Sequence, residues 1–170
     1  MSFSTVAIIV LAVAASVYDL RTRRLPNALT FGAALVGFAY QTATGGLSAL
    51  GFSVAGWLLA VALFFPFFAL RGLGAGDVKL LGAFGAWLGP ISALYMGFYT
   101  GVAGGVMALL VVLARRRVVQ TFTNLGSMLM FWSAVGVQPM PNLTLDSSTS
   151  PRIAYALPIA VGALVAVWVA

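Results

Sequence analysis

Two aspartates are the residues of this chain best suited to chemistry. Acidic side chains occur at only three positions among 170 residues, Asp19, Asp77 and Asp146. Asp77 follows Gly72-Leu73-Gly74-Ala75-Gly76 and stands before an apolar run that holds Lys79 near its start. Asp19 ends another apolar run, just ahead of Arg21, Arg23 and Arg24. Both therefore sit where a hydrophobic span meets a basic loop, and an ionisable group at membrane depth marks a functional site by default. Two carboxylates close together in a poorly solvated place do not easily both ionise, so one tends to keep a proton while the other stays charged. That is the electronic arrangement of an aspartic protease. The charged member takes a proton from a water as the water attacks a peptide carbonyl. The protonated member hydrogen-bonds the carbonyl oxygen and later supplies the proton that the departing amine needs.

Composition closes off other chemistries. The chain has no cysteine, which excludes disulfides, a thiolate nucleophile and Cys-ligated zinc or iron–sulfur centres. It has no histidine, the commonest metal ligand and the usual general base near neutral pH. Acid–base work falls to Asp, Lys, Tyr or water, and no metal or organic cofactor is implied. At 62% hydrophobic and 7% charged residues the chain is expected in a lipid bilayer, because a soluble domain carries about 25% charged residues. The net charge of +6 fits a membrane protein that concentrates Lys and Arg on cytoplasmic loops, so no nucleic-acid partner is expected.

The elements that must position the aspartates follow from the hydrophobic runs. A spanning helix needs roughly 20 apolar residues, which leaves room for about six spans in one membrane-embedded domain, residues 1–170, with no separate soluble domain. The first span is expected over Phe3–Tyr18, retained in the membrane because no basic region precedes it as in a cleaved signal peptide. The second is expected over Asn27–Gln41, with an uncharged turn at Thr42–Ser48 that contains Gly45-Gly46. The third covers Ala49–Leu70, with Pro66 expected to kink it among Phe64, Phe65, Phe67 and Phe68. The fourth is a short span from Asp77 to Leu88, ended by Gly89-Pro90. The fifth covers Ile91–Ala114 and ends at Arg115-Arg116-Arg117, a stop-transfer and lipid-contact triplet. Gly85-x-x-x-Gly89 and Gly101-x-x-x-Gly105 are both expected to permit close helix approach.

Residues 118–137 are apolar but interrupted by Gln120, Thr121, Thr123, Asn124, Gly126, Ser127 and Ser133. They read as an interfacial amphipathic helix, with a seventh crossing as the alternative. Gln138–Arg152 reads as a loop in which Asp146 is a solvated turn residue, and Ile153–Ala170 as the last span. With six crossings and both termini outside, Arg21, Arg23, Arg24, Arg71, Lys79, Arg115, Arg116, Arg117 and Arg152 all fall on one side, which the positive-inside rule makes cytoplasmic. Asp19 and Asp77 then share a face and a depth. Each has a plainer reading alone: Asp77 as a helix N-cap, Asp19 as the partner of Arg21 or Arg23. Gly74 and Gly76 are expected to leave room for a substrate backbone beside Asp77 and to allow a positive φ there. Lys79 is expected to tune the pair's charge or to meet lipid phosphate. The tryptophans and tyrosines read as interface anchors or packing.

Together, Tyr18-Asp19-Leu20-Arg21-Thr22-Arg23-Arg24-Leu25-Pro26-Asn27 and Gly74-Ala75-Gly76-Asp77-Val78-Lys79-Leu80-Leu81 resemble the type IV prepilin peptidases, membrane aspartic proteases with a Gly-x-Gly-Asp signature. Ile153-Ala154-Tyr155-Ala156-Leu157-Pro158-Ile159-Ala160 is similar to that family's last-helix segment. The resemblance implies an all-α polytopic fold with Asp19 and Asp77 as the catalytic pair. It implies as substrate a prepilin or pseudopilin, with a basic leader and a hydrophobic helix, cut at the cytoplasmic side of a bacterial inner membrane. The longer members carry a Cys-rich cytoplasmic insertion near the first aspartate and also N-methylate the mature pilin with S-adenosylmethionine. This chain lacks the insertion and resembles the short peptidases of tight-adherence (Flp) pilus systems. A small proton-coupled transporter that uses two carboxylates as a relay is the rival reading, and it calls for acids nearer mid-membrane.

Overall fold

Long uncharged runs of Ala, Leu, Val and Phe leave a backbone in lipid no hydrogen-bond partner but itself, and that selects helices. In the computed structural model, which describes residues 2–116, 118–138 and 154–169, every regular element is an α-helix. These are α1 (Phe3–Thr22), α2 (Asn27–Ala69), α3 (Ala75–Ala114), α4 (Val118–Val135) and α5 (Ala156–Val169). Among them α1, α2 and α3 are long and apolar enough to cross a membrane, while α5 is as apolar but only 14 residues long. Arg117 and residues 139–153, which hold Asp146, Arg152 and nearly all of the expected Gln138–Arg152 loop, lie outside the described residues.

Two of the helices are doubled back on themselves. Gly46 (φ 68°, ψ −159°) and Gly89 (φ 77°, ψ 176°) interrupt α2 and α3 with backbone conformations open essentially only to glycine. Gln41, before Gly46, donates to the carbonyl of Trp87, and Ser53, after it, donates to the carbonyl of Ala86. Both arms of α2 therefore lie against one stretch of α3. Around Gly89 the pattern repeats: Gly82 faces Trp57 and Val61, and Gly97 faces Leu63 and Phe64 of the same α2 arm. The turn expected over Thr42–Ser48 contracts to the single residue Gly46. Hydroxyls of Thr42, Thr44 and Ser48 bond back to carbonyls one turn earlier, so helical geometry persists to the edge of the break. Pro66 lies inside α2, and the residue with non-helical backbone in that helix is Gly46.

Three boundaries shift in ways that matter for the site. Helix α1 continues past Tyr18 to Thr22, which puts Asp19 in its last turn. Helix α3 starts at Ala75, so Asp77 is its third residue and not its N-cap. Helix α5 starts at Ala156, with Ala154 and Tyr155 outside it.

The centre of the bundle is the first arm of α3, where Val78 and every residue from Leu80 to Trp87 are buried. Both arms of α2 pack around it, α5 docks on α3 beyond Gly89, and α1 packs chiefly on α5. Lipid tails are as apolar as leucine, so these helices are held by close fit more than by a hydrophobic drive. The fit comes from small side chains: Ala15, Ala83, Ala86, Ala156, Ala163 and Ala166 are wholly buried. A Cβ on Gly85 would run into the carbonyl of Gly56 and the side chain of Ala60, and one on Gly162 into Thr100. Gly101 and Gly105, by contrast, face open space, so among the described residues the second small-residue pair meets no other helix. At the end of the bundle away from the aspartates, Phe3, Tyr40 and Trp87 stack, and the Trp87 indole N–H donates to the carbonyl of Ala33 at 2.9 Å. Helix α4 has no buried residue.

This packing makes a contrast between two glycines measurable. Gly85→Leu is expected to cost about 3 kcal/mol or more by overpacking the α2–α3 contact, and Gly101→Leu to stay within about 0.5 kcal/mol of the parent. Thermal unfolding of the two variants in detergent checks both.

Candidate active site

The site is built where three helix ends meet. Asp19 reaches it from the last turn of α1, which closes on Arg23 in the left-handed region (φ 54°) with the Arg23 N–H on the Asp19 carbonyl at 2.9 Å. The chain then turns through Arg24, Leu25 and Pro26 into α2. The Thr22 hydroxyl ties this turn, donating to the carbonyls of Tyr18 and Arg24. Asp77 comes from the first turn of α3, on the far side of a loop that leaves α2 through Arg71 (φ 57°). The third end is the start of α5.

Asp19 is only 7% exposed, and its carboxylate Oδ2 accepts the backbone N–H of Ala156 at 3.1 Å. The half-buried Asp77 accepts the N–H of Gly74 through Oδ2 at 3.3 Å, a carboxylate at the third helical residue reaching back to the residue that opens its own helix. Asp77 lies within electrostatic reach of Asp19. Two of the chain's three acids, far apart in sequence, are thus neighbours in a place with little water, where each ionised form depends on the donors aimed at it. The start of α3 also offers the positive end of a helix dipole to Asp77.

The glycines of the loop act differently from the sequence expectation. Neither Gly74 (φ −76°) nor Gly76 adopts a positive φ; on this loop that conformation falls to Arg71. A Cβ on Gly74 would stand 3.0 Å from the Asp77 carboxylate, so its absence lets that carboxylate fold back onto the Gly74 N–H. A Cβ on Gly76 would stand 3.2 Å from the Leu25 side chain, so Gly76 seats the α1–α2 turn against α3. Gly76 thus brings the two aspartate-bearing segments together, and Gly74 shapes the Asp77 carboxylate's own loop. Lys79 is likewise committed: its ammonium donates to Asn27 Oδ1 at 3.0 Å and lies 5.1 Å from the centre of the Phe31 ring, which ties the start of α3 to the start of α2.

Two residues of this site escape a sequence reading. Ala156 acts through its backbone N–H alone, which no residue-type pattern can flag. Tyr155, partly buried and packed against the core, lies within electrostatic reach of Asp77, and its carbonyl accepts the Ile159 N–H of α5. Its only sequence signal is its place in the segment similar to a last-helix motif. Among the described residues no group of three or more His, Cys, Asp or Glu gathers as a metal site would require.

The arrangement suits proton exchange between two carboxylates and a third reactant at a basic helix-end surface. Among curated proteins and among solved structures, none matches the chain. The model of the type IV leader peptidase family matches residues 6–109, a stretch that carries both aspartates, the glycine loop, all of α2 and most of α1 and α3. The chain accordingly belongs to the type IV leader peptidase family, and is a peptidase built from membrane-type helices.

Proposed function

We propose that this protein is an aspartic endopeptidase that removes the leader from Flp-type prepilins or pseudopilins at the cytoplasmic face of a bacterial inner membrane. The observation that carries this reading is the meeting of Asp19 and Asp77 at the basic ends of α1 and α3. The pair shares one proton. Its charged member activates the water that attacks the scissile carbonyl, and its protonated member donates to the carbonyl oxygen and then to the leaving amine. Each carboxylate is both base and acid over one turnover, so neither a metal nor an organic cofactor enters the scheme.

In this reading the membrane is crossed six times, by α1, the two arms of α2, the two arms of α3 and α5, with the termini outside. The arm from Ala75 to Gly89 and the 14-residue α5 are shorter than the roughly 20 residues a hydrocarbon core requires. Both begin at the aspartates, so the catalytic pair is recessed below the headgroups or the bilayer thins around it. A substrate whose hydrophobic helix lies in the same bilayer presents its leader junction at that boundary. Helix α4 lies along the interface.

Two measurements test the proposal. Asp19→Asn and Asp77→Asn are each expected to lower cleavage of a leader-bearing pilin by about 10²–10⁴-fold, with insertion and yield unchanged. Full cleavage by either variant removes that residue from the mechanism. The absence of cysteine allows clean single-cysteine mapping of the crossings. A membrane-impermeant thiol reagent applied to whole spheroplasts is expected to label Ser48→Cys and Ile91→Cys, and to label Gly72→Cys only after permeabilisation. Labelling of all three from one side would overturn the six-crossing topology.

A further inference from the structure

Asp19 stands in an unfavourable place for a negative charge. It occupies the last turn of α1, the negative end of that helix's dipole, and it is almost wholly withdrawn from water. An ionised carboxylate there needs a donor from elsewhere. Asp77 meets its need locally, from Gly74 three residues back in its own loop. Asp19 meets it from Ala156, 137 residues on.

Ala156 is the first residue of α5, so its N–H is one of those that a helix leaves without an internal partner. The residue is wholly buried, and water cannot take the donor's place. Helix α5 is held in this position along its length: Ile159, Ala163 and Ala166 are wholly buried, and Gly162 packs on Thr100 and the carbonyl of Met96 in α3. Tyr155, in the turn that precedes α5, lies within electrostatic reach of Asp77. Each acid thus receives one backbone donor, but from different sources: Asp77 from its own loop and Asp19 from the distant start of α5.

We infer that the Ala156 N–H is a positioning donor that fixes the Asp19 carboxylate in its place within the pair, so that the docking of α5 sets the geometry in which the two acids work. The inference rests on the peptidase reading for its kinetic consequence, while the contact itself is open to test without it. Proline is tolerated at the first residue of a helix, where it removes the N–H without breaking an internal hydrogen bond. Ala156→Pro is therefore expected to insert normally and to lower kcat for a leader-bearing pilin roughly 10- to 100-fold, the scale of one hydrogen bond to a charged group, with little change in KM. Ala156→Gly keeps the donor and is expected to recover most of what Ala156→Pro loses. In protein labelled with 15N at alanine, Asp19→Asn is expected to move the Ala156 amide proton upfield to the range of an ordinary helix-end amide, whereas Asp77→Asn leaves it near its parent position.

Wild-type kcat in Ala156→Pro, or equal losses in Ala156→Pro and Ala156→Gly, would overturn the proposed role. An amide signal indifferent to Asp19→Asn would overturn the contact, and this arm decides the matter if Ala156→Pro does not insert. Failure of the parent protein to cut the pilin would count against the peptidase reading and leave the amide result standing.

Discussion

A carboxylate withdrawn from water must find its hydrogen-bond donors in the protein, and most of this structure is organised by that requirement at Asp19. Its donor is the first N–H of α5, and α5 can deliver it only by packing along α3. Asp77 imposes a similar but local demand, met by its own loop. The site is thus made of helix ends. Two amino-terminal ends, those of α3 and α5, turn donors and positive dipole ends toward the acids, against the one carboxy-terminal end of α1. Lys79 stands apart from this arrangement, its ammonium committed to Asn27.

The same packing supplies the scaffold. Helices in lipid gain little from burying apolar surface against one another, so close approach has to replace it. The first arm of α3 is buried along its length, with Gly56 against Gly85 and Gly82 against Trp57, while the second arm takes Gly162 of α5 against Thr100. Ser53 and Trp87 add bonds to carbonyls of neighbouring helices, satisfying polar groups that would otherwise be costly in an apolar setting. The stacked Phe3, Tyr40 and Trp87 pin α1, α2 and α3 together at the opposite end. With the helices fastened there, their other ends converge on the aspartates with little freedom to part. Gly76 against Leu25 and Lys79 on Asn27 complete the fastening beside the site itself.

Much of this was legible in residue types and spacing. Apolar runs of spanning length, broken by clusters of arginine and glycine, determine helices and their approximate ends, because a backbone in lipid has one way to satisfy itself. The rarity of acids singled out Asp19 and Asp77, and the glycines before Asp77 marked a tight loop. What sequence could not decide is how far helical geometry persists and which atoms meet. A helix stops where its last carbonyls find other donors, so Gly46 alone breaks α2 where a seven-residue turn was expected, and Asp19 falls inside α1 and not after it. Two glycine pairs of identical spacing had opposite fates, because only one faces another helix. Gly74 and Gly76 serve the closeness of their neighbours, a role set by what lies across from them. The donor on Asp19 is a main-chain N–H, common to every residue but proline. Its selection at Ala156 belongs to the tertiary structure, since only the docking of α5 on α3 decides which backbone group arrives at that carboxylate.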